Sequence, residues 1–206
     1  MHACNEDFSF SSIHWQLNAG FWKNDFDKRP FERWVSDSYN PGIRRLVKFW
    51  VDRIDKKREV LKLYLFIGIM QSLLKDERSF LRCGSEWINY SILTDGTIIP
   101  CPIMSGMKDY SLRHISKANP IKLQKVFIKE PCTRCEVYDV CRGRCLYANI
   151  TKRWSAEAYS LVCRTVKNLI AYLKQEVPRV RRLISQGNIK LSDFSYLKYS
   201  GCEIIP

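Results

Sequence analysis

Residues 132–145 read CTRCEVYDVCRGRC, four cysteines at the spacing C-x2-C-x5-C-x3-C. Upstream, Cys83, Gly96 and Cys101 form C-x12-G-x4-C, thirty residues before Cys132; downstream, Cys163 follows Cys145 after seventeen more. This regularity is foreign to scattered core thiols. A zinc or iron-sulfur centre takes about four sulfur ligands, so one centre cannot use all seven cysteines. The count points to two metal centres, one of them short of a protein thiolate.

Three plainer readings explain less. A disulfide framework suits a small secreted domain, but the chain has nine cysteines, an odd number, and MHACNEDFSFSS at its start lacks the basic-then-apolar pattern of a secretory signal. Structural zinc on Cys132, Cys135, Cys141 and Cys145 leaves Cys83, Cys101 and Cys163 without a role. Unliganded buried thiols would not keep this spacing.

The pattern resembles the SPASM domain, the C-terminal extension of radical S-adenosylmethionine (SAM) enzymes that modify peptides and proteins. Cys83, Gly96, Cys101, Cys132, Cys135, Cys141, Cys145 and Cys163 fall on its marked positions, and the likeness covers roughly residues 83–175. The resemblance implies two auxiliary [4Fe-4S] clusters: one on Cys83, Cys101 and Cys145, the other on Cys132, Cys135, Cys141 and Cys163. Such a crossed arrangement would tie the two halves of the motif together, making metal part of the fold. CRGRCLYAN and the tail FSYLKYSGCEIIP are similar to archaeal-type peptide-modifying radical SAM/SPASM proteins. Some relatives add a cysteine between the first motif cysteine and the glycine, yet residues 84–95 contain none. The first cluster is therefore expected to have an open iron, free for substrate or capped by Asp109, His114 or the spare thiols Cys4 and Cys202. Relatives that oxidise sulfatase side chains carry a carboxylate directly after the second motif cysteine; Pro102 stands there, which disfavours sulfatase maturation.

The family also cleaves SAM with a cluster on C-x3-C-x2-C, and no such triplet occurs in these 206 residues. The near miss, Cys141-x3-Cys145-x2-Ala148, ends in a residue that cannot ligate iron. The chain is thus expected to be the C-terminal part of a radical SAM enzyme, needing SAM only when full-length or partnered. The alternative is a standalone, non-enzymatic SPASM module that relays electrons or presents a peptide to a separate catalytic subunit.

The expected fold is α+β: residues 1–82 a remnant of a partial (β/α) barrel, residues 83–206 a loop-rich iron-sulfur domain with a β-hairpin and C-terminal helices. In the remnant, FSFSSIHWQL (8–17) reads as a buried strand and NPGIRRLVKFWVDRIDKK (40–57) as a helix with Asn40 as N-cap and Pro41 first inside. VLKLYLFIGIM (60–70) reads as a strand covered on both faces, giving one right-handed strand-helix-strand unit. WINYSILTDGTIIPC (87–101) reads as a hairpin turning at Asp95-Gly96 in a type I′ turn, which sets Tyr90 opposite Cys101. After Cys163, an apolar stripe from Tyr159 to Leu173 marks a helix that Pro178 should kink or end.

Charge and hydropathy narrow the setting. The formal net charge is +13, but the basic residues are spread over several elements and no nucleic-acid motif accompanies them, so a nucleic-acid partner is disfavoured. A basic surface would instead suit an acidic peptide or a redox donor protein. Leu63–Met70 is far shorter than the roughly twenty residues a membrane span needs, and the abundant thiols point to a reducing cytoplasm. His14 and Gln16 share one strand face and are weak candidates for a site role. His2 is terminal, and no Ser-His-Asp set, phosphate loop or carboxylate pair stands out.

Overall fold

A computed structural model of the chain describes residues 10–17, 30–85 and 87–199. Cys4, Cys202 and His2 lie outside these residues. Helix α1 (Phe31–Trp34), a π-helical turn (Val35–Tyr39) and α2 (Asn40–Lys57) run on as one helix. Asn40 is therefore not the N-cap expected of it: its own backbone is helical, and its N–H bonds to the Val35 carbonyl. Pro41 cannot donate and its ring crowds the preceding turn, and a widened π turn just upstream relieves both. The stripe Ile43, Val47, Trp50, Val51 and Ile54 is buried, as its spacing predicts.

The segment expected as a doubly covered strand is instead helix α3 (Tyr64–Lys75), of which Leu65 to Ser72 are all buried. A continuous apolar run cannot distinguish a buried strand from a buried helix, and here QSLLK extends it to a length that favours the helix. Only Leu63 keeps a strand contact, a parallel bridge to Ile13. The strand-helix-strand order survives as that bridge alone. Residues 10–17 are not the buried strand anticipated: Phe10 is 67% exposed and Ile13 38%. Their anchor is Trp15, whose ring meets Phe66 edge-on at 5.7 Å and whose Nε1 donates to the Tyr39 hydroxyl at 3.2 Å.

Helix α6 (Ala156–Ser185) starts at Ser155, whose hydroxyl accepts from the Ala158 N–H at 3.1 Å. Pro178 lies inside it and does not end it. Pro178 is exposed, so the carbonyl it strands can face water. Beyond it, buried Val180 and Leu183 and the pairing of Arg179 with Asp52 and Asp55 hold the last turns onto α2.

Helices α2, α3 and α6 enclose one apolar core, closed by the 3-10 turn Leu191–Phe194. Trp50 sits at its centre, edge-on to Phe66 and Phe194 at 5.5 and 6.1 Å, with its Nε1 donating to the Leu61 carbonyl at 3.0 Å. A second, smaller cluster gathers Leu81, Met104, Ile128, Cys132, Leu146 and Tyr147.

A small antiparallel sheet has the order β1 (Ser91–Ile92), β2 (Thr97–Ile99), β3 (Arg113–His114). The mixture of helices with a small antiparallel sheet is an α+β architecture. The hairpin is present but its register differs by one residue from the expected one. Ser91 pairs with Ile99, which continues to place Tyr90 opposite Pro100 rather than Cys101. Gly96 has positive φ (83°) while Asp95 does not, so the loop has three residues, Thr94 to Gly96. A type I′ turn needs both central residues in the left-handed region. Asp95 instead accepts the Thr97 N–H on its carboxylate at 2.8 Å.

Candidate metal centres

The backbone around residues 132–145 explains how closely spaced cysteines separate. Cys132 opens a 3-10 turn (Cys132–Arg134), and the Cys135 N–H closes on its carbonyl at 3.0 Å. Helix α4 (Tyr138–Cys141) is a single turn ending on Cys141. Arg142, Gly143 and Arg144 then all take positive φ, at 55°, 85° and 59°. Three successive left-handed residues reverse the chain, a conformation only Gly143 adopts without cost. The reversal leaves Cys145 extended (φ −143°) at the start of α5 (Leu146–Thr151).

As a result the thiols line two recesses. Cys132, Cys135, Cys141 and Cys163 line one of about 480 Å³, counted with its opening to solvent. Cys83, Cys101 and Cys145 line another of about 1030 Å³, counted the same way. Cys145 also reaches the wall of the first recess. The Gly143 backbone packs so closely on Ile128 that an added Cβ would lie 2.7 Å from its Cγ2.

Burial sets the electrostatics. It pushes the Cys141 and Cys163 thiols up to about 11, and for Cys163 the neighbouring Cys132, Cys141 and Cys135 add to the shift. Cys83 and Cys101 are raised for the same first reason, with Cys145 as a common neighbour. Bare thiols here would stay protonated at neutral pH, whereas a bound metal stabilises the thiolate that ligates it. Among the described residues no three His, Cys, Asp or Glu side chains converge on one point as a single ion would require. In a cubane cluster each thiolate binds a different iron, so four thiols ringing a recess fit a [4Fe-4S] group better than one zinc ion.

Several neighbours escaped the sequence reading. Tyr159, one helical turn before Cys163 on α6, brings its hydroxyl to 3.5 Å from the Cys132 sulfur. Ser85 brings its hydroxyl to 3.3 Å from the Cys83 sulfur. Buried Arg82 donates from Nε to the Val140 carbonyl at 3.1 Å and from a terminal nitrogen to Ser72 at 3.2 Å, placing a cation beside Cys141. At the rim Lys167 pairs with Glu136 at 2.8 Å and holds its carboxyl down at about 2. Helical spacing could have flagged Tyr159 and sequence adjacency Ser85; the contacts of Arg82 with Val140 and of Lys167 with Glu136 are tertiary.

The remaining candidates fall elsewhere. His114 is spent on the hairpin, with Nε2 at 2.9 Å from the Asp95 carbonyl oxygen and Nδ1 at 2.7 Å from the Ser116 hydroxyl. Neither His114 nor Asp109 lines the second recess, whereas Pro102 does. His14 and Gln16 are exposed and line neither recess. Among the described residues no helix is long and apolar enough to cross a membrane.

No family model matches the chain. Over 148 residues it is 22% identical to a cysteine-type anaerobic sulfatase-maturating enzyme from Clostridium perfringens, an alignment covering 65% of this chain and 39% of that protein. The solved structure of native anSMEcpe with bound AdoMet and the Cp18Cys peptide aligns over 85% of this chain and 47% of that one, at 17% identity and a TM-score of 0.47. The same enzyme with AdoMet alone aligns at 15% identity and a TM-score of 0.48. The chain thus spans well under half the length of the curated relative it matches, and through that sequence similarity it is related to radical SAM proteins.

Proposed function

We propose that this chain is the auxiliary-cluster portion of a radical SAM enzyme that modifies a peptide or protein. The observation that carries the reading is the distribution of seven motif cysteines over two recesses, with Cys132, Cys135, Cys141 and Cys163 on the first only, Cys83 and Cys101 on the second only, and Cys145 on the wall of both. Cys132, Cys135, Cys141 and Cys163 would hold one [4Fe-4S] cluster, and Cys83, Cys101 and Cys145 the second, leaving it one iron without a protein thiolate. Bound there, the clusters would supply one-electron transfer and a ligand position for substrate. Residues 83–206 would form the SPASM domain and residues 1–82 the end of a partial barrel. Cleavage of SAM would fall to a C-x3-C-x2-C site on a longer form of the protein or on a separate subunit, in a reducing cytoplasm and with a redox donor protein.

The substrate is a peptide or protein other than a sulfatase. Pro102 rather than a carboxylate follows Cys101, and no described Asp or Glu lines the second recess. Anaerobic reconstitution tests the reading: about eight irons and eight sulfides per chain are expected, with broad absorbance near ~400 nm. Cys132→Ala and Cys163→Ala should each lose the same four irons, and Cys83→Ala the other four. Stoichiometric zinc without sulfide, in protein from iron-replete anaerobic cells, would overturn it.

A further inference from the structure

We propose that Tyr159 and Ser85 set the reduction potentials of the two clusters separately, each by giving one hydroxyl hydrogen bond to one ligand sulfur. This rests on the cluster reading above and goes beyond it in naming what distinguishes the two centres. The Tyr159 oxygen lies 3.5 Å from the Cys132 sulfur and the Ser85 oxygen 3.3 Å from the Cys83 sulfur.

A thiolate can only accept, so once metal is bound each hydroxyl becomes the donor. The Tyr159 side is held by the packing around it. Buried Asn149 is clamped to the Lys129 backbone, accepting from its N–H at 2.6 Å and donating to its carbonyl at 2.8 Å. Burial raises the pKa of the Tyr159 phenol, and Asn149 lies close enough to it to act against that rise. Trp154 flanks the Tyr159 ring at 5.8 Å between centroids. Ser85 is held by burial, at 5% exposure, one residue beyond the left-handed Gly84.

Hydrogen bonds to cluster sulfurs draw charge off the iron and favour the reduced state. No proton moves: each cluster takes one electron from the titrant, and the hydroxyl keeps its hydrogen. The two residues act through the ligand sulfurs they touch.

The test is a dithionite titration of the reconstituted full chain, followed by electron paramagnetic resonance, for wild type, Tyr159→Phe and Ser85→Ala. Wild type should give two midpoints. Tyr159→Phe should lower one of them and leave the other in place; Ser85→Ala should do the reverse. Asn149→Ala should move the same midpoint as Tyr159→Phe, by less. Iron and sulfide content and far-ultraviolet circular dichroism are measured alongside, and a variant that loses its cluster is replaced by Tyr159→Leu or Ser85→Gly, which also lack the donor. Two intact clusters with unmoved midpoints in both variants would overturn this proposal and leave the cluster reading standing. A wild type that binds no cluster would overturn both.

Discussion

The helical part and the cysteine part of this chain are stabilised by different means. The helical core holds twenty buried residues, Trp50 among them and sixteen of them on α2, α3 and α6, and long regular elements satisfy the backbone. Around the thiols the core has six buried residues, one of them Cys132, and the chain runs through 3-10 turns, one-turn helices and left-handed residues. The first region can stand on buried apolar area. The second buries too little for that, and a cluster gripping it at several points would supply the missing constraint. Folding and cofactor binding should be nearly one event in residues 81–155 and nearly independent in the helices.

The sharpest way to break this contrast is to remove the metal. In reconstituted protein, chelation under oxidation should abolish hydrogen-exchange protection across residues 81–155 while that of α2, α3 and α6 persists. Equal loss in both regions would show that the contrast is false. Next in size, Trp50→Ala should cost about 3–5 kcal/mol of unfolding free energy through cavity formation, since the ring is wholly buried, with four plus four irons retained in the folded fraction. Denaturant unfolding followed by circular dichroism reads it.

Gly143→Ala probes the cysteine side. It forces a Cβ into positive φ and onto Ile128, so a loss of about 1–3 kcal/mol is expected, accompanied by weaker iron retention. Ile128→Val should restore part of the contact penalty but not the backbone strain. The smallest effect concerns pH on the helical side. Hydrogen bonding to Arg179 holds the Asp55 carboxyl below its ordinary value of 3.8. Because the folded value is the lower one, this stabilisation is present above 3.8 and is lost as pH falls through the folded value. The difference in Tm between wild type and Arg179→Ala should be largest near neutral pH and shrink below the ordinary carboxyl range; a constant difference would show that the pair acts through packing alone.

Much of the molecule was legible from local rules, and its failures are instructive. The stripe of α2, the stripe of α6 and the existence of the hairpin all follow from side-chain period and turn chemistry. α3 was misread because a run that is apolar on every side carries no period. Hairpin register slipped because Asp95-Gly96 serves a three-residue loop as readily as a two-residue one, and the Asp95–Thr97 bond selects the former. Of the two outcomes expected at Pro178, an end of the helix did not occur, because Val180, Leu183 and Arg179 beyond it pack and pair with residues outside that helix.

The cysteine spacing by itself raised the expectation of two centres, one of them short of a thiolate, because ligand counting depends only on which residues are present. Which thiols share a wall was decided in three dimensions. The left-handed run Arg142–Arg144 turns Cys145 toward Cys83 and Cys101, and α6 carries Cys163 back to Cys132, Cys135 and Cys141. The Tyr159 hydroxyl likewise acquires its role only through proximity, since its contact with Cys132 spans 27 positions of chain and depends on a separation of a few ångströms that distance along the chain does not encode.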